Sequence, residues 1–218
     1  CEADQIFEKV EKAGFRVGSI SAMNASNKLQ NPSYFIPDPW TLTDSDSSLL
    51  SKALSDAISQ AVNDNSESRI SFKSIISLVI ATFALVKITK LPNLAKYAFS
   101  SISKPWRKAI FLDMLLHEIH KTLLKRKKPD FSTIFFNAGA HIQHHYFHNS
   151  SVSNTYNLNN PDWYIAKNND PLLEMLMVYD EILSDYIGAE GFELIVATGL
   201  SQKPFEELKF YYRLRDHK

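Results

Sequence analysis

The stretch from Pro129 to His148 most constrains the fold, because a candidate buried strand runs directly into a concentration of histidines. Residues 131–136, with the sequence F-S-T-I-F-F, form an apolar run that ends at Asn137. A short apolar run bounded by turn residues predicts a buried strand. Four of the seven histidines then follow closely, at His141, His144, His145 and His148. Ligands of open α/β sheets bind at the carboxyl ends of strands, so the sequence predicts a functional site here.

Composition narrows the class of protein. A chain of 218 residues with 44% apolar and 22% charged residues can form one sizeable core, with room for a small helical lobe. Lys and Arg together number 24, and Asp and Glu together also number 24, so the formal net charge is zero. This balance gives no reason to expect a nucleic-acid or anionic-membrane partner. Cys1 is the sole cysteine, and no signal peptide is visible. Both observations fit a reducing compartment, and we expect a cytoplasmic location.

The first half of the chain predicts an α/β unit followed by helices. Residues 4–13 read as a short amphipathic helix and residues 15–20 as a strand, a common α/β building block. Residues 24–40, rich in Pro, Asn and Ser, predict a loop. The segment 47–127 is almost entirely helical in pattern and lies between two predicted strands. We therefore expect a helical insertion or lid at 47–127, on an α/β core formed by 1–46 and 128–218.

The second half predicts a strand, a helix and another strand. Residues 149–169 read as a surface loop, and Asp170 followed by Pro171 predicts the start of a helix. Residues 192–197, with the sequence F-E-L-I-V-A, predict a second central strand. This order favours a parallel pair joined by a right-handed crossover. The sequence therefore predicts an α/β fold.

The most apolar segment is Ile75–Val86, which is flanked by Lys73 and Lys87. It is too short to cross a bilayer. We expect a buried helix here and no membrane span. The oligomeric state stays open, because amphipathic helices in the insertion could serve equally well as a lid or as an interface.

The histidine spacing suits metal binding. His141 and His144 are three residues apart, and His141 and His145 four apart, so either pair shares one face of a helical turn. Two neutral imidazoles could hold zinc, manganese or iron, with carboxylates from other loops. The alternative is that the histidines cap backbone groups or line a packed loop. Their number favours function, with His141 and His144 as candidate ligands and His145 and His148 as bystanders.

Other candidate residues carry weaker signals. His117, Glu118 and His120 lie within one predicted helix but do not match the zinc-protease spacing, and they predict a solvated helix face. Asp180 suits a structural or a catalytic role equally well. The chain has no glycine-rich phosphate loop and no G-x-S-x-G elbow.

Three short motifs between residues 128 and 200 carry a resemblance to a known family. They are Lys128-Pro-Asp130, His141-Ile-Gln-His144 and Tyr179-Asp-Glu-Ile-Leu183. In this order they resemble the alkaline phosphatase superfamily, with the nearest likeness to its type I phosphodiesterase and nucleotide pyrophosphatase branch. The resemblance implies a three-layer α/β/α fold with a mostly parallel sheet. The helical insertion at 47–127, expected from its pattern, would then interrupt that fold.

The resemblance also implies a metal site, from which this chain departs. His144 falls on a metal-binding histidine of the family, whereas Ala140 stands at the position of its paired aspartate. The second predicted strand ends in Thr198-Gly199-Leu200, where the family has a metal-binding Asp-His pair. The family's nucleophile and last histidine would fall outside this chain. The likeness therefore implies an internal section of the fold or a diverged member.

Three hypotheses follow from these observations. The leading one is a metal-dependent hydrolase or transferase of a small phosphate or related ester, with a divalent metal such as zinc or manganese at a remodelled His141 and His144 site. The second is a catalytically silent binding module of the same fold. The third is an unrelated metal-binding α/β protein, using His117, His120 and Asp180.

Overall fold

The computed structural model describes residues 3–63, 71–153, 158–198 and 201–208. They form an α/β fold with a parallel three-stranded sheet. The elements in chain order are α1 (Ile6–Lys12), β1 (Val17–Ile20), β2 (Tyr34–Ile36), α2 (Leu49–Asn63), α3 (Phe72–Leu85), α4 (Leu91–Ser100), α5 (Arg107–Lys127), β3 (Phe131–Ile134), α6 (Ala138–Tyr146) and α7 (Pro171–Ile187).

The described residues divide into two compact units. The first comprises the residues up to Leu91 together with Leu115–Phe136, and it contains the sheet. The second comprises Pro92–Met114 and the residues from Asn137 onward, and it contains α6 and α7. The predicted insertion at 47–127 therefore contributes residues to both units.

The sheet of the first unit has the strand order β2-β1-β3. All four residues of β1 are buried, and Val17 packs in a core with Phe7, Ala25 and Phe35. The rings of Phe7 and Phe35 meet edge to face with centroids 6.2 Å apart. Removing apolar surface from water contributes about 25 cal/mol of stability per Å², so the burial of these side chains holds α1 against the sheet.

Most predicted elements of the first half are confirmed, with one omission. α1 and β1 fall within 4–13 and 15–20, and β3 falls within 131–136. The predicted burial of β3 is wrong, because all four of its residues are only half-buried. The prediction of an unbroken loop over 24–40 is wrong, because Tyr34–Ile36 forms β2. This strand is only three residues long and is followed by Pro37, so it presents too short an apolar run for sequence alone to distinguish from a packed loop.

The predicted strand at residues 192–197 is wrong. Residues 193–198 form no ladder with the sheet, and side chains such as Ile195 and Val196 are 80% and 64% exposed. A largely apolar run becomes a strand only where a neighbouring strand pairs with its backbone N–H and C=O groups. The end of that predicted strand, at Gly199 and Leu200, lies outside the described residues.

The helix predictions hold more closely. Asp170 caps α7, because its Oδ1 accepts a hydrogen bond of 2.9 Å from Leu173 N, and Pro171 occupies the first helical position.

The predicted burial of Ile75–Val86 is wrong, because α3 exposes one apolar face. Among the described residues, no helix is long and apolar enough to cross a membrane.

Gly18 and Tyr34 hold the centre of the sheet together. They face each other in the register of β1 and β2, and the Tyr34 ring lies over Gly18. A Cβ added at Gly18 would stand 2.7 Å from Cε1 and 2.8 Å from Cε2 of that ring. The Tyr34 hydroxyl then reaches Ser132 on β3 with an O–O distance of 2.6 Å. The absent side chain at Gly18 therefore lets one tyrosine span all three strands.

We predict that Gly18→Ala lowers the free energy of unfolding by about 2 kcal/mol, because the new methyl group collides with the ring and forces it from its position. Urea denaturation measures the change. In a Tyr34→Ala background the same substitution should cost far less, since the ring is gone. Equal costs in the two backgrounds would show that the ring contact is not the cause.

Candidate functional site

The histidine-bearing helix α6 begins four residues after the last residue of β3 and is capped by residues distant in sequence. The carboxylate of Asp113, on α5, accepts hydrogen bonds from Asn137 N at 3.3 Å and from Ala138 N at 2.8 Å. Asn137 itself provides no side-chain cap. A helix leaves its first N–H groups without internal acceptors, so Asp113 satisfies two of them from another helix.

Tyr179 of α7 completes this cap. Its hydroxyl donates to Asp113 Oδ2 at 2.7 Å and accepts from Gly139 N at 2.9 Å. The same ring lies so close that a Cβ on Gly139 would approach Tyr179 Cε2 at 3.3 Å. One carboxylate and one phenol thus hold the first turn of α6, which fixes the helix that carries the histidines.

Burial dominates the electrostatics of this cap. Asp113 is 2% exposed, and burial raises the pKa of its carboxyl to about 6, although the hydrogen bonds from Tyr179, Ala138 and Asn137 act in the opposite direction. Burial and the neighbouring Asp113 carboxylate raise the pKa of Tyr179 well above its usual range. Tyr179 therefore remains a hydrogen-bond donor at any physiological pH.

The histidines of α6 lie on its exposed side, while Ile142 and Tyr146 are buried. The rings of His141 and His145 are neighbours, with centroids 4.9 Å apart. His145 Nδ1 is 3.0 Å from the hydroxyl of Tyr164. His144 Nε2 is 3.4 Å from Nε2 of Gln202, whose amide can donate to it. Three imidazoles are therefore accessible on one short helix.

The environment favours the neutral form of two of these imidazoles. Partial desolvation, together with the nearby His145 and His144, lowers the pKa of His141. Partial desolvation and His144 likewise lower the pKa of His145. A neutral imidazole offers a lone pair for a metal ion or for a proton, so both rings are in their ligand form near pH 7.

The structure gives the predicted histidines different neighbours. His145, expected to be a bystander, lies beside His141, and His144 lies beside Gln202 instead of a carboxylate. Asp180 is exposed on α7. The helical spacing i, i+4 was the signal for the His141 and His145 pair. The Asp113 and Tyr179 cap was missed, because its members lie far apart in sequence.

The donors on α6 fit only part of a metal site. His141 and His145 present two imidazoles, whereas Ala140 offers no ligand atom at the position where the family resemblance implies a carboxylate. Within the described ranges, no trio of His, Cys, Asp or Glu that includes His141 or His144 brings its ligand atoms within 4.8 Å of one another. The donor set therefore does not fit a two-metal centre, and for a single ion it supplies two nitrogens.

His148 lines a separate, polar cavity near the start of α7. The cavity has a volume of about 670 Å³. Its walls carry amide, hydroxyl and charged side chains, among them Asn149, Ser151, Asn159, Lys167, Asn168 and Asp170. His148 thus has a different environment from the paired rings of His141 and His145.

The histidines of α5 are buried, so the predicted solvated face is wrong. His117, Glu118 and His120 are each 4–5% exposed. His117 Nε2 and Glu118 Oε1 are 3.9 Å apart and are of metal-ligand type, so they could supply two ligands to an ion. Lys90 Nζ and Lys121 Nζ also approach Glu118 Oε1, at 3.8 and 3.5 Å, and would compete with such an ion.

His120 has a structural environment. Its Nε2 shares a hydrogen bond of 2.8 Å with Ser132 Oγ, which also bonds the hydroxyl of Tyr34 at 2.6 Å. Burial and the neighbouring His117 lower the pKa of His120 to about 3. The neutral ring is therefore one member of a buried chain of hydrogen bonds that runs from His120 through Ser132 to Tyr34. The third hypothesis requires His120 as a metal ligand, and with Nε2 bonded to Ser132 only its Nδ1 could fill that role.

The comparisons with known proteins add no relative. No protein-family model, no curated protein and no solved structure matches this chain. The geometry of the described residues is therefore the basis of the functional argument.

We predict that the titration of Asp113 by itself lowers the unfolding free energy of the protein by up to about 3 kcal/mol as pH rises from about 4 to about 6. The folded pKa of about 6 exceeds the ordinary value of 3.8, so the folded state binds the extra proton in that interval. Asp113→Asn removes this proton. The excess of the wild-type unfolding free energy over that of the variant should therefore shrink, or change sign, as pH rises across that interval. Urea titrations at each pH measure it.

The matched control is Asp56→Asn, which removes a carboxylate from an exposed position on α2. Its difference from wild type should stay nearly constant over the same pH range. A pH-independent difference for Asp113→Asn would contradict a raised pKa at that carboxyl.

Proposed function

We propose that this chain is a metal-dependent hydrolase or transferase acting on a small phosphate or related ester, with His141 and His144 as its site residues. The observation that carries the proposal is the set of three accessible imidazoles on α6, a helix whose first turn is held by Asp113 and Tyr179. A helix held at its first turn is a suitable support for catalytic groups.

The roles of the residues follow from their chemistry. His141 and His144 could each bind a divalent ion such as zinc or manganese through one ring nitrogen, and His145, beside His141, could act as a further ligand or as a proton acceptor. The ion, when bound, would polarise a phosphoryl oxygen and lower the pKa of a coordinated water. Tyr164, bonded to His145 Nδ1, would orient that ring, so Nε2 would be the nitrogen that binds the ion or accepts the proton.

The family resemblance supports an alkaline-phosphatase-like three-layer fold for the whole domain, and the parallel sheet of the described residues agrees with its coarse α/β character. Two features require a remodelled site. Ala140 replaces a carboxylate ligand, and the Asp-His pair is lacking at residues 198–200. Any catalysis therefore relies on one ion with several open positions, which water and substrate would fill.

A second function in the same fold is a catalytically silent binding module. The hydrogen bonds of His145 to Tyr164 and of His144 to Gln202 favour it, because they already occupy one nitrogen of each ring. In that case the imidazoles would position the helix surface or contact an ester without cleaving it. The two functions differ in a measurable property, the metal content of the protein.

We predict that purified wild-type protein, incubated with zinc or manganese and dialysed, retains about one ion per chain by elemental analysis. His141→Ala and His144→Ala should each reduce retention at least tenfold, because a site with few protein ligands cannot lose one. His148→Ala, which changes the separate polar cavity, is the matched control and should keep the ion.

Hydrolysis completes the test. Aryl phosphate, aryl phosphodiester and aryl sulfate substrates should be cleaved by the loaded wild type and by His148→Ala, with rates near background for the other two variants. Retained metal without cleavage would favour the binding module. A wild type that holds no metal would overturn the metal-dependent proposal.

A further inference from the structure

The exposed face of α3 is an apolar surface without a counterpart in the described part of the chain. Six large apolar side chains lie on it, with exposed fractions from 42% to 78%. They are Phe72, Ile75, Ile76, Val79, Ile80 and Phe83. At 100° per residue they cover an arc of about 140° of the helix. Soluble proteins rarely expose so large a contiguous patch without an interaction to cover it.

The opposite face of α3 is already used. Ala81 and Leu85 are buried, and the helix packs against α2. At its start, Ser71 N and Ser71 Oγ both donate to Gln60 Oε1 of α2, at 3.2 and 2.9 Å. These contacts fix which side of α3 faces outward. The exposed apolar face is therefore a property of the packed helix pair.

The spacing of the exposed residues points to another helix as the partner. Phe72, Ile76, Val79 and Phe83 follow one another at intervals of four, three and four residues. This is the alternation of a coiled-coil seam, in which each side chain inserts between residues of a facing helix. Ile75 and Ile80 flank the seam on both sides and widen the contact.

We propose that α3 is a self-association surface, on which the α3 helix of a second copy of this chain packs about a two-fold axis. A two-fold contact requires one patch that is complementary to itself, and a uniformly apolar seam meets that condition. The sequence carries no charged residue from Ser74 to Val86. Two such helices can therefore approach in either direction without opposing like charges at the centre.

The size of the patch agrees with a dimer. The exposed fractions of these six side chains correspond to roughly 600–800 Å² of apolar surface per copy, given the 150–250 Å² of a large aromatic ring. A standard stable interface buries about 800 Å² on each partner. The α3 face and its immediate neighbours thus supply the area that a modest homodimer needs.

A lipid surface fits the same face less well. A helix that lies in a membrane interface opposes its apolar side with a strongly charged side facing water. The other side of α3 is instead packed on α2 and carries Ser74, Ser77 and Thr82. The seam spacing also has no role against fluid lipid, whereas it is required against a helix.

The first test is the mass of the full chain by sedimentation equilibrium from low to tens of micromolar. Wild type should form dimers, and Val79→Glu should weaken the dimer at least a hundredfold, because it places a charge at the middle of the seam. The matched control is Ile102→Glu, which adds the same charge at an apolar side chain that is 84% exposed after α4. It should dimerise as wild type does.

The second test locates the contact without relying on a destabilising substitution. In a Cys1→Ser background, which leaves the chain without cysteine, Val79→Cys should give a disulfide-linked dimer under mild oxidation, and Ile102→Cys should not. Circular dichroism checks that each variant is folded. A monomeric wild type throughout the concentration range, or a dimer that survives Val79→Glu, would overturn the proposal. Sedimentation of monomeric protein with anionic vesicles would assign the face to lipid instead.

Discussion

The hydrogen bonds that Asp113 and Tyr179 make to the first turn of α6 are the interaction on which the candidate site depends. Each of the first three backbone N–H groups, from Asn137 to Gly139, has a side-chain acceptor. Leaving a buried N–H without an acceptor costs about 1–3 kcal/mol. The orientation of the imidazoles is therefore tied to two side chains that are not part of the histidine motif.

Capping a helix with a buried carboxylate requires the desolvation of a charged group, and the hydrogen bond from Tyr179 offsets part of that desolvation free energy. Burial raises the pKa of Asp113 to about 6, so near neutral pH the group carries a charge in a poorly solvated place. The Tyr179 hydroxyl donates to it, and the positive end of the α6 dipole faces it. The partners thus compensate a charge that would otherwise oppose folding.

A second buried polar chain follows the same rule in the sheet-bearing unit. The chain of Tyr34, Ser132 and His120 joins β2, β3 and α5, and it exists because Gly18 leaves room for the tyrosine ring. His120 stays neutral, so this chain links dipoles and carries no charge. Polar residues that look solvated in a helical pattern are here fixed in the interior by partners on other elements.

This dependence on distant partners decides what the sequence can predict. Local signals sufficed for α7, which begins at the Asp170 cap and Pro171, and for the positions of β1, which is buried, and β3, which is half-buried. The i, i+4 spacing also predicted that His141 and His145 would be neighbours. Asp113, by contrast, is separated from Ala138 by 25 residues, and only its place between Ile110 and Met114 on an apolar stripe marked it as a buried carboxylate. The predictions of a strand at the unpaired segment 193–198 and of burial for α3 were wrong for the converse reason. Apolar residues predict burial, but an apolar surface is buried only where the fold, or a second molecule, supplies a surface to cover it.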